Sequence, residues 1–505
     1  MPLFLGLDIG TSATKAILID EVGAVRSVAD SPHEVAMPRP GWSEQHPDWW
    51  WNAACRATRM ALAASGVRAA DVMAVGFSGQ MHGSVFLPSH PDPAEPRPIR
   101  NALLWNDQRT GAECEQIEQA AGGREQLIAM VGNPALTGFT APKILWLRAH
   151  EPDHFQRTHH VLLPKDYVRF RLTGELAIDA GDASGTLLLD PRTRDWHTGL
   201  LAALGLDRSL FPQVIEAPDV AGTVTRQASE ATGLIAGTPV VAGSGDQMTG
   251  AVGMGIVRAG LVSATLGTSG VIFAHAGRSL PTDRSGRLQT MCSAVPGEWC
   301  VYGCMLSAAG ALRWFRDTCA AGASYAALDE EAEQIGPGAG GLIFLPYLTG
   351  ERCPHPDPQA RGAFIGLTAR HTRGHLARAV LEGVAFGMAA MLDMVRGAGI
   401  AAREVRMGGG GAKSRLWRTI HANAFGCPVT MLNTAEGSAY GAAILAGVGA
   451  GAWSSVSEAC DCCLRETDRV EPDAAAVTVG ARVRAVYDSL YPGLREAMHT
   501  LGRSE

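Results

Sequence analysis

The stretch Leu3-Phe-Leu-Gly-Leu-Asp8-Ile-Gly10-Thr11-Ser12-Ala-Thr-Lys15-Ala-Ile-Leu-Ile-Asp20 decides how the fold is read. An apolar run ends at Asp8, glycine and hydroxyl residues make a turn at Gly10 to Ser12, and a second apolar run carries the chain onward from Lys15. This predicts a β-hairpin whose turn meets something anionic. Backbone N–H groups in such a turn can form an anion-binding nest, and a carboxylate at the strand end can hold a hydrated Mg²⁺ that bridges phosphates. An ordinary hairpin turn is the competing explanation. The pattern returns at Ser263 to Ala274, where Gly267, Thr268 and Ser269 separate two apolar runs. Two such hairpins suggest an α/β chain built from two similar halves that close on a nucleotide.

Between them lies Val240-Val-Ala-Gly-Ser-Gly-Asp246-Gln247-Met-Thr-Gly250, a short apolar run breaking into glycines around one carboxylate. Glycines on both sides let the backbone turn sharply and let a ligand approach, so Asp246 is expected in a cleft. A carboxylate between two phosphate-cradling turns is suited to take the proton from a hydroxyl that attacks a phosphoryl group. The plainer alternative is a turn aspartate capping the next helix.

Other stretches add candidate contacts. Ala74 to Gly83 reads as a buried strand running into a glycine-flanked loop that presents Gln80, Met81 and His82, though a lone histidine is often structural. Trp105, Asn106, Asp107 and Arg109 follow an apolar run and could grip a polyhydroxylated molecule; a helix beginning at Asn106 or Asp107 is the compatible rival. Val405 to Gly411 is a strand entering four glycines before a helix from Ser414. Bare backbone at Gly409, Gly410, Gly411 and Ala412 can admit adenosine and phosphate. A second helix is expected from about His375 to Arg396. The P-loop pattern fails because Ala412 stands where glycine is required, and Lys413 breaks the dinucleotide-binding pattern.

Composition narrows the class. The 505 residues, 46 % of them hydrophobic, are enough for two to four domains with large cores, and 60 glycines without a repeat period fit an α/β protein rich in turns. A net charge of -7 offers no basic face for nucleic acid, so small-molecule partners are expected. The first residues carry no basic leader, and no apolar run reaches the roughly 20 residues needed to span a bilayer, so a cytoplasmic location is expected. The 11 cysteines are scattered; Cys460-Asp-Cys462-Cys463 lacks a second pair at ligand spacing and reads as reduced thiols.

Taken together, these motifs resemble the FGGY carbohydrate kinases of the actin and sugar-kinase superfamily. Phe139 to Leu147 resembles the first family signature, and Gly362 to Leu367 followed by His375 to Glu382 resembles the second. The resemblance runs to about residue 450 and leaves the tail unread. It implies two ribonuclease-H-like domains around a nucleotide cleft, divided as 1–248 (sugar and metal side) and 249–505 (nucleotide side). It further implies Asp246 as general base, Met81 and His82 on a ketose, and Asp107 and Gln247 near it. Asp8 and the two hairpins would hold Mg²⁺ and the phosphates of ATP, and Gly408 to Ala412 the adenosine. Gln80 to Gly83, Trp105 to Arg109 and Tyr347 to Pro354 resemble the D-xylulose-phosphorylating branch more than the glycerol branch. Family habit suggests a homodimer. A different ketose or polyol such as ribulose, or a non-catalytic nucleotide sensor of the actin-like type, are the alternatives.

Overall fold

The computed structural model describes residues 1–281, 283–434 and 436–502. Its first half is built on β1 (Leu3–Ile9), β2 (Ala13–Asp20) and β3 (Val25–Pro32), then helix α1 (Pro47–Ser65), β4 (Val72–Gly79) and β5 (Pro239–Val241). Helix α2 (Asp246–Gly253) leads into the second half: β6 (Leu261–Leu266), β7 (Gly270–Gly277), β8 (Trp299–Met305), α3 (Arg373–Gly397), β9 (Glu404–Gly408), α4 (Arg415–Phe425) and β10 (Val429–Leu432). Helix α5 (Gly437–Gly449), β11 (Glu466–Val470) and α6 (Ala474–Gly502) complete the framework.

The two halves repeat one topology, as the paired hairpins predict. In the first sheet the order is β3-β2-β1-β4-β5, with Val220–Thr223 outside β5; in the second it is β8-β7-β6-β9-β10, flanked by Gln289–Cys292 and β11. Within each, the first three strands are antiparallel and the last two join in parallel. Both faces of β1 are covered, which is why its sequence is almost continuously apolar. Leu3, Leu5, Leu7 and Ile9 pack with Trp50, Trp51 and Ala54 of α1, while Phe4 packs toward Ala439, Tyr440 and Ala443 of α5.

Helix α5 therefore comes from the second half of the chain but lies on the first sheet. Small residues permit this. A Cβ on Gly6 would sit 2.0 Å from Ala439 O, one on Gly76 2.0 Å from Ala442 O, and one on Gly441 1.9 Å from Thr249 O of α2. The halves thus meet through two helices in backbone contact, α2 and α5. A boundary at 248/249 falls inside α2, because that helix runs unbroken from Asp246 to Gly253.

Several boundaries differ from the sequence reading. The helix expected at Asn106 or Asp107 begins instead at Gly111, because the Asp107 side chain is engaged elsewhere and the chain stays in turns until Thr110. Helix α3 starts two residues before His375, where Thr372 and His375 form a reciprocal cap. The tail left unread holds a sheet strand, β11, and the 29-residue helix α6. Tyr487, Tyr491 and Met498 of α6 pack on Ile343, Leu345 and Tyr347, so the tail braces the loop that follows. Among the described residues, no helix is long and apolar enough to cross a membrane.

Candidate active site between the two halves

Asp246 reaches its position through three tight backbone steps. Gly243 adopts φ +70, where a Cβ would lie 2.0 Å from Phe77 O. Ser244 and Gly245 then run beside Ser78 and Gly79 at the end of β4. Gly245 caps α2, and Asp246 is the first helical residue, so its carboxylate is not spent on capping. The acid therefore sits where the parallel strands end, a crevice that α/β sheets commonly offer to ligands.

Asp8, at the end of neighbouring β1, accepts a hydrogen bond from Ser78 Oγ at 2.8 Å, and Thr249 Oγ1 of α2 lies 2.7 Å from that same oxygen. Among the described residues the Asp246 side chain is hydrogen-bonded only by its neighbour Gln247, whose Nε2 lies at 3.3 Å and whose amide also favours the ionised form. Burial, reinforced by the nearby Asp8 charge, pushes the Asp246 pKa up to about 7. Burial also raises that of Asp8, against the Ser78 hydrogen bond and the Lys15 charge. Two carboxylates close enough to repel each other form a locus that favours a cation.

Both halves wall a cavity of about 580 Å³ beside Asp246. Met81, His82, Trp105 and Gln247 line it from the first half, and Ser269 of the second hairpin from the other. The His82 backbone is held at φ +66, its carbonyl receiving Lys143 Nζ at 2.9 Å and Thr140 Oγ1 at 3.1 Å. Its ring donates from Nδ1 to Gly185 O at 2.8 Å, and burial lowers its pKa to about 3, so the imidazole stays neutral with Nε2 left as an acceptor. Met81 Sδ lies 4.0 Å from the Tyr302 hydroxyl of β8, a contact across the two halves. The half-exposed Trp105 indole is fixed by Nε1 donating to Thr11 Oγ1 at 3.0 Å, which ties the cavity wall to the first hairpin turn.

Asp107 is placed differently from its neighbours. It is fully buried, receives Ser43 N at 2.7 Å, and is gripped by Arg109 through Nε at 2.9 Å and Nη2 at 2.7 Å. Arg109 in turn stacks on Trp42 at 3.5 Å. Asp107 thus holds the Trp105 to Gln108 loop from behind and is absent from the cavity lining.

The remaining predicted residues gather at the two hairpins and the glycine loop. The first turn is closed by Gly10 N donating to Ala13 O and the second by Gly267 N donating to Ser269 O, both at 3.0 Å. Thr268 O receives the amides of Ala308 and Gly310. Gly409 adopts φ +84, where a Cβ would lie 2.6 Å from Leu266 O, so the glycine loop rests on the base of the second hairpin, and Ala412 is buried beside it. Lys15 reaches across to Glu436 Oε2 at 2.5 Å, which occupies its ammonium with a carboxylate of the second half.

Most of the second half's share of the cavity wall escaped the sequence reading as individual site residues, Tyr302, Cys304, Glu351 and Arg352 among them. Buried Lys143 escaped as well; desolvation lowers its pKa to about 7. It lies inside the Phe139 to Leu147 signature, which was the one available signal.

Comparison with known proteins bears directly on this geometry. Family models described as the N-terminal and C-terminal domains of the FGGY family of carbohydrate kinases match residues 3–253 and 262–450. The chain is 41% identical to a xylulose kinase of Escherichia coli (strain K12) over 457 residues, covering 90% of this chain and 92% of that one. It is 35% identical to a xylulose kinase of Bacillus subtilis (strain 168) over 491 residues, 97% of each. A solved structure of a xyloylose kinase from Brucella ovis superposes with a TM-score of 0.90 at 36% identity, covering 98% of this chain and all of that one.

Proposed function

The chain belongs to the FGGY family of carbohydrate kinases, and from that premise we propose that it transfers the γ-phosphoryl group of ATP to the terminal hydroxyl of D-xylulose, giving D-xylulose 5-phosphate. In this reading Met81, His82, Trp105 and Gln247 hold the ketose in the cavity and Asp246 accepts the proton of the attacking hydroxyl. The first and second hairpin turns offer backbone N–H groups to the phosphates, and Gly409 to Ala412 receive the adenosine. Work in the cytoplasm and as a homodimer belongs to the same reading.

One observation supports it above the rest: an uncapped, poorly hydrogen-bonded carboxylate, with a pKa near 7, stands beside the Asp8 carboxylate on a cavity that both halves line. A base tuned close to neutrality suits proton acceptance. The transition state of phosphoryl transfer is loose, so positioning counts for more than base strength. Among the described residues, no three acidic, histidine or cysteine side chains gather as a ligand set. That fits Mg²⁺, which keeps several waters and is bound by one or two carboxylates together with substrate phosphates. Asp8 would hold it with one carboxylate oxygen, the other receiving Ser78. When bound, Mg²⁺ neutralises phosphate charge. In the same reading, closure of the two halves around the cavity excludes water that would otherwise receive the phosphoryl group.

A coupled assay of ADP release over a panel of ketoses and polyols tests the substrate, with D-xylulose expected to give the highest kcat/KM and ribulose or a polyol the outcome that would replace it. Asp246→Asn should lower kcat by at least about a hundredfold while sugar binding survives. Near-normal turnover would remove Asp246 from the role of base.

A further inference from the structure

Lys143 is fully buried, and its amino group is spent on two backbone carbonyls: Nζ donates to Gly138 O at 2.6 Å and to His82 O at 2.9 Å. No carboxylate pairs with it among the described residues. Burial lowers its pKa to about 7, and the charge of Asp107, already gripped by Arg109, offsets this only in part. A neutral amine still carries two N–H donors, so both bonds survive loss of the charge. Burying an amino group in this way is costly, and the gain lies in what the two carbonyls belong to.

His82 follows β4 in the chain, Gly138 precedes the helix Thr140–His150, and both line the cavity beside Asp246. His82 is a non-glycine residue at φ +66, a conformation that persists only where the surroundings impose it. They do so from two sides. Lys143 Nζ and Thr140 Oγ1 hold its carbonyl, while Gly185 O receives ring Nδ1 and the Phe139 ring meets the imidazole edge-on at 4.8 Å. Nε2 is then the ring nitrogen without a partner among the described residues, on a residue that is partly exposed and lines the cavity. Gly138 in turn presses on the Trp105 backbone, since a Cβ there would lie 2.6 Å from Trp105 O. One amino group thus backs two neighbouring parts of the wall.

We propose that Lys143 is a positioning residue for the sugar: its amino group ties the His82 loop to the Gly138 turn and so aims His82 Nε2 at a hydroxyl of the ketose. Lys143 touches no substrate and acts through His82. This rests on the reading of the cavity as a sugar site.

Lys143→Met keeps the length of the side chain and removes its donors. KM for the sugar should rise about tenfold, with KM for ATP staying within about twofold of the parent protein. Added to His82→Ala, the same substitution should cost less than about threefold in sugar KM, because the group it positions is already gone. General damage to packing would instead raise both KM values and persist undiminished in the double variant; either result overturns the proposal, as does an unchanged sugar KM in Lys143→Met. Thr140→Val removes the other donor to His82 O without touching a buried amine. It should raise sugar KM about threefold in the parent protein and leave it unchanged in His82→Ala, and it decides the matter if Lys143→Met does not fold: no rise in the parent protein then overturns the proposal. His82→Ala with a normal sugar KM would remove His82 from the sugar site and take the premise with it. A failure of Lys143 alone looks different: His82→Ala weakens sugar binding and Lys143→Met does not.

Discussion

The hairpin of β1 and β2 and the hairpin of β6 and β7 share a Gly-Thr-Ser turn and a place in the same sheet order, but their charges differ. Asp8 stands two residues before Gly10, whereas Thr265 stands two before Gly267. Across the ladder Asp8 faces Lys15, while Thr265 faces Val271. Duplicated backbone therefore carries unequal chemistry. The first copy brings Asp8 to the end of the sheet, where α2 adds Asp246; the second offers its turn and leans on the glycine loop. A nest of N–H groups needs no side-chain charge, but a cation site and a proton acceptor do.

Making the first hairpin like the second should cause the largest loss. Asp8→Thr is expected to lower Mg²⁺-dependent turnover by at least about a hundredfold, whereas Thr265→Val should change it by less than about threefold, as read from metal titrations at saturating sugar. Equal losses from the two would erase the distinction between the hairpins. A smaller effect probes the neutral side. Gly409→Ala forces a Cβ to 2.6 Å from Leu266 O at φ +84, so it should raise KM for ATP about tenfold and cost about 1–3 kcal/mol of stability. Gly410→Ala, which meets nothing within 4 Å, should do neither.

The smallest effect sharpens the comparison through stability. The folded pKa of Asp246, about 7, lies above the ordinary aspartate value near 4, so the folded state holds a proton there that the unfolded state releases between those two pH values. The contribution is fully present below about pH 4 and is lost as pH rises through 7. Asp246→Asn should therefore exceed the parent protein in stability at pH 8 by on the order of 1–3 kcal/mol, with the advantage fading as pH falls to 4. Denaturant unfolding of both proteins across that range checks it, and an advantage independent of pH would contradict it.

What could be read from the sequence was what is local. The hairpins, the strand before Asp246 and the glycine loop each announce themselves through apolar runs broken by glycine, since turn chemistry is written in adjacent residues. Asp107 shows where that stops: its partners Ser43 and Arg109 include one 64 residues away, and that engagement keeps it from starting a helix. Glu351 was visible only inside a resemblance, because the cavity wall it belongs to is completed by Met81, Trp105 and Asp246, distant in sequence. Helix α6 carries no motif, and its role as a brace follows from packing on Tyr347 and Asp357.

The most direct test of Asp246 as proton acceptor is the pH dependence of kcat/KM for the sugar. The parent protein should hold a plateau above about pH 7 and fall tenfold per pH unit below it, and Asp246→Asn should be slower and lack that slope. A parent profile that stays level from pH 5 to 8, matched by near-normal turnover in Asp246→Asn, would contradict the account.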